Sequence, residues 1–371
     1  MYFKQFICIL ICTFAFASLA KAQIPAKTPP SDEIIKVDTQ LVDVPVAVSS
    51  TNGTPLGGLK ASNFVVYEDG KRQEVVDFSS ISAPFEVALL LDTSGSTRGD
   101  LQLIQNSALT FISSLRAGDR VGLVGFKSDQ RDGQTIAVSQ VMSTLTDDRA
   151  KLRSTIQNVR TSFGTPYYDS MLTAAENLFR DEPQEQFRGR RALVALTDGV
   201  DSTSVAEFAE IKEALQKRGI ICFFIKVDTR EFFEEGLLGD CQSATRFSMA
   251  QIRRYYRSIG AKATTEKAAS FCGLGDFERL AVSKRLYEMA DAEMGELAKA
   301  SGGRVFPVAD LSEARAAFKN VADEIGTKYT LGYYPTNEKR DGTFRKIKVE
   351  LKGLPAGTLL RTREGYTAPS Q

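Results

Sequence analysis

Histidine is absent from this chain. Its absence excludes a Ser-His-Asp triad, a histidine general base and the usual histidine-containing zinc sites. Any catalysis would have to run on Asp, Glu, Lys, Tyr or Cys, and the expectation is a protein that is not an enzyme. A charge imbalance is missing too: 47 Lys and Arg stand against 46 Asp and Glu. Setting aside Lys4 and Lys21, which fall in a leader-like segment, leaves 45 against 46. No electrostatic attraction to nucleic acid follows from that balance. Cysteine is scarce, with five in 371 residues.

The leader-like segment is residues 1–22. Lys4 precedes an apolar stretch from Phe6 to Leu19, with small residues at Ala20 and Ala22. This is the layout of a secretory signal cleaved after Ala22. The stretch is short for a membrane span, so no transmembrane anchor is expected in the mature chain. Cys12 follows Leu10-Ile11 rather than a small residue, which argues against a lipid anchor. The expected destination is the periplasm, the cell envelope or the medium. Three cysteines then remain. Cys222 lies in the apolar run Ile220–Ile225 and reads as a buried free thiol. Cys241 and Cys272 bracket a polar, irregular segment and are the natural disulfide pair of an exported protein, with pairings through Cys222 as the alternatives.

Residues 23–33 are Pro-rich and polar, a linker. Residues 34–83 read as a β segment. It holds a strand from Ile34 to Val48, where Pro45 favours an edge or a bulge. A hairpin follows, Phe64–Glu68 and Gln73–Phe78 around Asp69-Gly70. From 84 to 326 strands and helices alternate, with 229–284 as a partly helical insertion. Helices are expected over Leu101–Leu115, Asp147–Val159, Pro166–Phe179, from a capping box at Ser204–Glu207 to Gly219, from about Leu286 to Gly302, and over Leu311–Ile325. Residues 327–368 carry three more candidate strands. Each β flank is small for a core of its own, so the two are expected to pair into one β-sandwich-like module with the α/β domain between its halves.

Two strand ends carry the chemistry. Val87-Ala88-Leu89-Leu90-Leu91 runs straight into Asp92-Thr93-Ser94-Gly95-Ser96, and Leu193-Val194-Ala195-Leu196 into Thr197-Asp198-Gly199. Short apolar runs of this kind are buried parallel strands, and open α/β sheets place their sites at the carboxyl ends of such strands. Asp92, Ser94 and Ser96 offer only oxygen donors, the kind a hard divalent cation prefers. Two strand-end aspartates on neighbouring strands repel unless a cation or a proton sits between them.

This arrangement resembles the metal-ion-dependent adhesion site of the von Willebrand factor A domain, whose first motif is D-x-S-x-S. Gly164-Thr165, ahead of a helix, supplies the separate threonine of that pattern, and Asp198 its second aspartate. The resemblance implies a doubly wound, Rossmann-like α/β fold with a mostly parallel sheet. It implies a metal held by Asp92, Ser94, Ser96, Thr165 and Asp198, with the hydroxyls on the ion and the aspartates acting largely through water. Mg²⁺ is the first choice, with Mn²⁺ or Ca²⁺ as alternatives. An acidic side chain of a protein ligand would fill the open coordination position. The flanks extend the resemblance over 34–368, to a group of exported bacterial von Willebrand factor A-related proteins. Its marks are Glu68-Asp69-Gly70-Lys71, the A-x-x-S-G-G-R-x-F stretch at Ala298–Phe306, Tyr329–Pro335 and Arg363-Glu364-Gly365-Tyr366.

The functional expectation is an exported protein–protein interaction or adhesion-type module, with a metal-independent envelope scaffold as the alternative. A phosphohydrolase of the haloacid dehalogenase type would want a second aspartate where Ser94 stands. Arg98, Tyr167 and Val200 adjoin the motifs without being needed for the ion and are the candidate partner contacts. Asp100, Asp169 and Asp201 read as solvated turn or cap residues. The basic run Arg246, Arg253, Arg254, Arg257 and Lys262 reads as a solvated helix face.

Overall fold

The computed structural model describes residues 41–79, 83–94, 101–131, 134–260 and 271–370. The signal and linker expectations, together with Ser96, Arg98, Asp100 and Lys262, lie outside them. Within them the chain opens on β1 (Val42–Ser49), the hairpin β2 (Phe64–Glu68) and β3 (Lys71–Gln73), and β4 (Asp77–Ser79). Next come β5 (Glu86–Leu91), α1 (Leu101–Ser114), β6 (Arg120–Arg131), β7 (Gln134–Thr146), α2 (Arg149–Gln157), α3 (Tyr167–Thr173), β8 (Arg191–Thr197), α4 (Phe208–Lys217) and β9 (Ile221–Val227). Three helices follow, α5 (Arg230–Leu237), α6 (Met249–Ser258) and the long α7 (Asp276–Ser301), then β10 (Arg304–Val308) and α8 (Ala314–Ile325). β11 (Tyr329–Tyr333), β12 (Phe344–Leu351), β13 (Leu359–Thr362) and β14 (Gly365–Thr367) close the chain. Among the described residues no helix is long and apolar enough to cross a membrane.

The central sheet has the order β10-β9-β8-β5-β6-β7. Its strands run parallel except for β7, which returns antiparallel along β6 as the edge. Every residue of β5 and β8 is buried, as expected of strands covered on both faces. Alternation along β5 divides them between two layers. Val87, Leu89 and Leu91 pack with α1 and α8 around Ile104, Phe111 and Phe318. Ala88 and Leu90 pack with α3, α4 and α7 around Met171, Ile211 and Met294. From β5 the chain moves to β6 on one side and later returns to β8 on the other. The strand order therefore reverses between β5 and β8, and the carboxyl ends of these two strands frame the crevice where open α/β sheets bind ligands.

The flanking strands of both termini combine into two antiparallel sheets, β13-β1-β11-β4 and β14-β12-β2-β3. They share an apolar core of Val42, Val44, Val46, Phe64, Val66, Tyr329, Leu331, Tyr333 and Ile347. Two expectations fail here in detail. Pro45 is in an interior strand, between β11 and β13, although the pairing with β13 begins only at Val46. The anticipated second hairpin strand is also split. Lys71–Gln73 pairs with β2, whereas Asp77–Ser79 crosses to the other sheet and pairs with β11. One strand thus changes sheets and closes a corner of the sandwich. The α/β unit is tied to the sandwich where the chain enters and leaves it. The Arg190 guanidinium donates to the carbonyls of Ala83 (2.8 Å), Pro84 (3.2 Å) and Lys328 (3.3 Å).

Segment 229–284 has its own apolar cluster, built from Leu237, Phe247, Ile252, Tyr256, Phe271, Leu274 and Val282. Cys241 and Cys272 form a disulfide across it, and Cys222 is free and buried. Desolvation pushes the Cys222 thiol up to about 12. The helix foreseen near Leu286 begins earlier, at Asp276, so the end of the insertion and the resumed α/β pattern share one helix.

Candidate metal centre

Asp92 is the first residue past β5. Its backbone N–H still donates to Leu196 O across the sheet (3.1 Å), which fixes the carboxylate beside the end of β8. Oδ1 accepts from the Ser94 N–H (3.1 Å) and Oδ2 from the Thr197 hydroxyl (3.0 Å). Asp198 follows β8. Its Oδ1 accepts from the Val200 N–H (2.9 Å), and its Oδ2 from the Thr229 hydroxyl at the end of β9. Desolvation raises the pKa of Asp92. Desolvation, and then the charge of Asp92, push Asp198 up to about 7. Among the described residues no Lys or Arg forms an ion pair with either carboxylate. A cavity lies between them, lined by Asp92, Thr197, Asp198 and Thr229 on its polar side and by Ile104, Leu196, Val227 and Leu311 on its apolar side. It has room for one small ligand such as a water.

Thr165 arrives on a third loop, which the structure docks to the other two. Ser162 N–H donates to Thr93 O (2.9 Å), Thr165 N–H to Ser202 Oγ (2.7 Å), and Ser202 N–H to Thr165 O (3.0 Å). Gly164, at φ +98°, allows the close approach. A Cβ there would sit 2.7 Å from the Thr203 methyl in a backbone conformation that L side chains rarely adopt. Asp92, Ser94, Thr165 and Asp198 are thus carried by three loops at one end of the sheet. All offer oxygen, and two are carboxylates without a cation partner among the described residues. That set fits a hard divalent cation. Among the described residues there is no cluster of three or more His, Cys, Asp or Glu able to hold a metal; hydroxyls make up the rest of this donor set.

Two candidate partner contacts are corrected. Tyr167 is 2% exposed and packs against Tyr168 in the layer beneath α3. Val200 is 8% exposed and belongs to the apolar cluster of the insertion. Adjacency to a motif does not set direction. Tyr167 opens a helix whose inner face it occupies, and Gly199 presses the turn before Val200 so close to α7 that a Cβ would lie 2.7 Å from the Met294 methyl.

Asp201 is also corrected, since it is buried rather than solvated. Its Oδ2 accepts from the N–H groups of Tyr167 (2.9 Å) and Tyr168 (3.2 Å), and its Oδ1 from Ser204 (3.1 Å). A carboxylate is welcome at the positive end of a helix, yet desolvation still lifts Asp201 to about 6. Asp169 holds a turn, accepting from the N–H groups of Val205 and Ala206 ahead of α4. The Ser204 hydroxyl accepts from the Asp169 N–H in the first turn of α3 instead of capping α4, which starts later, at Phe208. Arg254 is not a free basic residue: it pairs with Glu293 and covers the Tyr168 ring at 4.8 Å. The sequence reading missed Thr197, Thr229 and Tyr287. Thr197 could have been found as the hydroxyl beside the second aspartate, whereas nothing local to Thr229 or Tyr287 signals a role.

Residues 87–200 match the family described as von Willebrand factor type A domain. No curated protein matches the chain. Among solved structures, the conserved hypothetical protein BatB from Bacteroides thetaiotaomicron aligns at 18% identity and TM-score 0.42, covering 65% of this chain and 98% of that one. A von Willebrand factor type A structure from Catenulispora acidiphila aligns at 10% identity and TM-score 0.43, over 90% and 75%. Proximal thread matrix protein 1 from the mussel byssus, solved with a zinc-occupied MIDAS motif, aligns at 14% identity and TM-score 0.39, over 70% and 49%.

Proposed function

We propose that the von Willebrand factor type A-like domain of this chain binds a protein partner through a divalent cation held at Asp92, Ser94, Ser96, Thr165 and Asp198. Domains of this family commonly mediate protein–protein interaction. The observation that carries the reading is the pair Asp92 and Asp198: a buried and a half-buried carboxylate at the switch point of the sheet, the charge of Asp92 raising the cost of ionising Asp198, with hydroxyl donors around them. A divalent ion relieves that cost, with Mg²⁺ first and Mn²⁺ or Ca²⁺ as alternatives. An acidic side chain of the partner completes the ion's shell, and Arg98 steers it. In this reading the site binds and does not catalyse. The chain works outside the cytoplasm, a placement that the Cys241–Cys272 disulfide supports.

Calorimetric titration of the mature chain with Mg²⁺ and Mn²⁺ tests the first half, with Asp92→Ala as the control that should abolish binding. Capture of partners from the native envelope or secretome, with and without chelator, tests the second half. Capture that survives both chelator and Arg98→Glu means the partner docks elsewhere, as in a metal-independent scaffold.

A further inference from the structure

Asp198 is anchored from outside the segment that matches the family. The Thr229 hydroxyl donates to Asp198 Oδ2. With a cation bound, Asp198 is ionised and only accepts, so the single hydroxyl hydrogen of Thr229 is then spent on it. The contact between Thr229 Oγ1 and Tyr287 Oη, at 2.9 Å, then has Tyr287 as its donor. The result is a directed chain, Tyr287 O–H to Thr229 O–H to Asp198. Both carboxylate oxygens are engaged, one by Thr229 and the other by the Val200 N–H, so the side chain has one orientation left, with Asp198 and Thr229 on the cavity wall shared with Asp92.

The two donors flank the insertion. Thr229 immediately precedes α5, and Tyr287 lies on α7 with the Cys241–Cys272 disulfide between them in sequence. Both ends pack on one apolar cluster, in which Tyr287 and Phe233 are in ring contact and Val200 also takes part. A second link runs from the same region to the Thr165 loop. Arg254 of α6 pairs with Glu293 of α7, and Glu293 accepts from the Tyr168 hydroxyl just past that loop.

We infer that Thr229 and Tyr287 are positioning residues for the metal site, and that the insertion is the buttress holding Asp198 in its ligating orientation. This rests on the metal-binding reading above. Neither residue touches the ion; each acts through Asp198. Groups that orient a metal's carboxylates typically change affinity by about 10–100-fold when removed.

The test is calorimetric titration of Mn²⁺ and Mg²⁺ into the mature chain as wild type, Thr229→Val, Thr229→Ser, Tyr287→Phe and Asp92→Ala. Thr229→Val keeps shape and loses the donor, and should raise Kd about 10–100-fold. Thr229→Ser restores the hydroxyl and should return Kd to within about 3-fold of wild type, a rescue that a packing role would not give. Tyr287→Phe removes one oxygen at the far end of the chain and should raise Kd by a smaller factor, roughly 3–10-fold. Wild-type affinity in Thr229→Val, or a Thr229→Ser protein no better than Thr229→Val, overturns the inference while leaving the metal site intact. A wild type that binds neither ion overturns the metal reading itself, and the inference with it.

Discussion

Strand β5 has a carboxylate at each end, and the two live differently. Glu86, at the start, lies between two guanidinium groups: Arg120 at 2.9 Å and Arg191 at 2.9 Å. Asp92, at the finish, is as buried as Glu86 and, among the described residues, has hydroxyl and amide donors but no cation. The sandwich repeats the first solution, with Glu68 accepting from Arg345, Tyr333 and Tyr366. A buried carboxylate closed off by its own arginines has a finished structural role. One that is left with neutral donors beside a second carboxylate keeps a charge that only a proton or an added cation can balance. The contrast between the ends of one strand separates framework from site more sharply than burial alone.

Neutralising each end in turn should give effects of different size and sign. Glu86→Gln leaves Arg191 buried without its counter-charge and should cost about 3–5 kcal/mol in urea unfolding. Asp92→Asn, measured in chelator, should cost far less or stabilise, because it removes repulsion from Asp198. Equal losses at the two ends would break the comparison. Next in size is the metal response. Mg²⁺ at about 100 times its Kd should add roughly 2.7 kcal/mol to wild type and to Glu86→Gln, and nothing to Asp92→Ala.

The pH dependence carries the sign of the site. A carboxyl whose folded pKa is raised holds a proton in the native state that the unfolded chain has released. Stability in chelator should therefore fall as pH rises from about 4 to about 7, the window set by Asp198 with Asp201 adding the same sign. The slope contributed by one such group is at most about 1.4 kcal/mol per pH unit. Asp198→Asn should make it shallower, leaving the part due to Asp201, as should saturating Mg²⁺, which takes the place of the proton. A rising curve over that window contradicts the assignment. The smallest effect is expected at Tyr167, whose buried hydroxyl has no hydrogen-bond partner among the described residues. Tyr167→Phe should change stability by less than about 1 kcal/mol, in the stabilising direction.

Much of this was legible in the sequence because β5 and β8 are continuous apolar runs that stop at polar clusters, a pattern that burial on both faces imposes. The pairing of the flanks followed from size, since neither could bury a core alone. What escaped the reading depends on direction or on long-range partners. The hairpin strand at 73–78 looked continuous because nothing in Glu74-Val75-Val76 marks the change of sheet. The spacing at Ser204 suggests a capping box for α4, but its hydroxyl is claimed by the Asp169 N–H in the first turn of α3. Helix α7 was read as starting late because buried positions include Arg279, Ser283 and Tyr287 as well as the apolar ones, which blurs a one-sided stripe. The roles of Thr229 and Tyr287 depend on a contact across 58 positions of sequence, beyond the reach of any local pattern.

The threading of the sandwich has a consequence in time. Val46 pairs with Tyr329 and Val66 with Val349, so the first strands to leave the ribosome wait for the last. The α/β unit is complete before those partners exist, and domains generally fold as units in order of synthesis. Once it folds, its entry at Ala83-Pro84 and its exit at Lys328 are held together by the single Arg190 side chain. A closure that would span most of the chain becomes a short one, with the conformational search already spent. Arg190 is thus expected to assist folding as well as to join the two units. Its loss should show as slow or failed closure of the sandwich around an α/β unit that still forms.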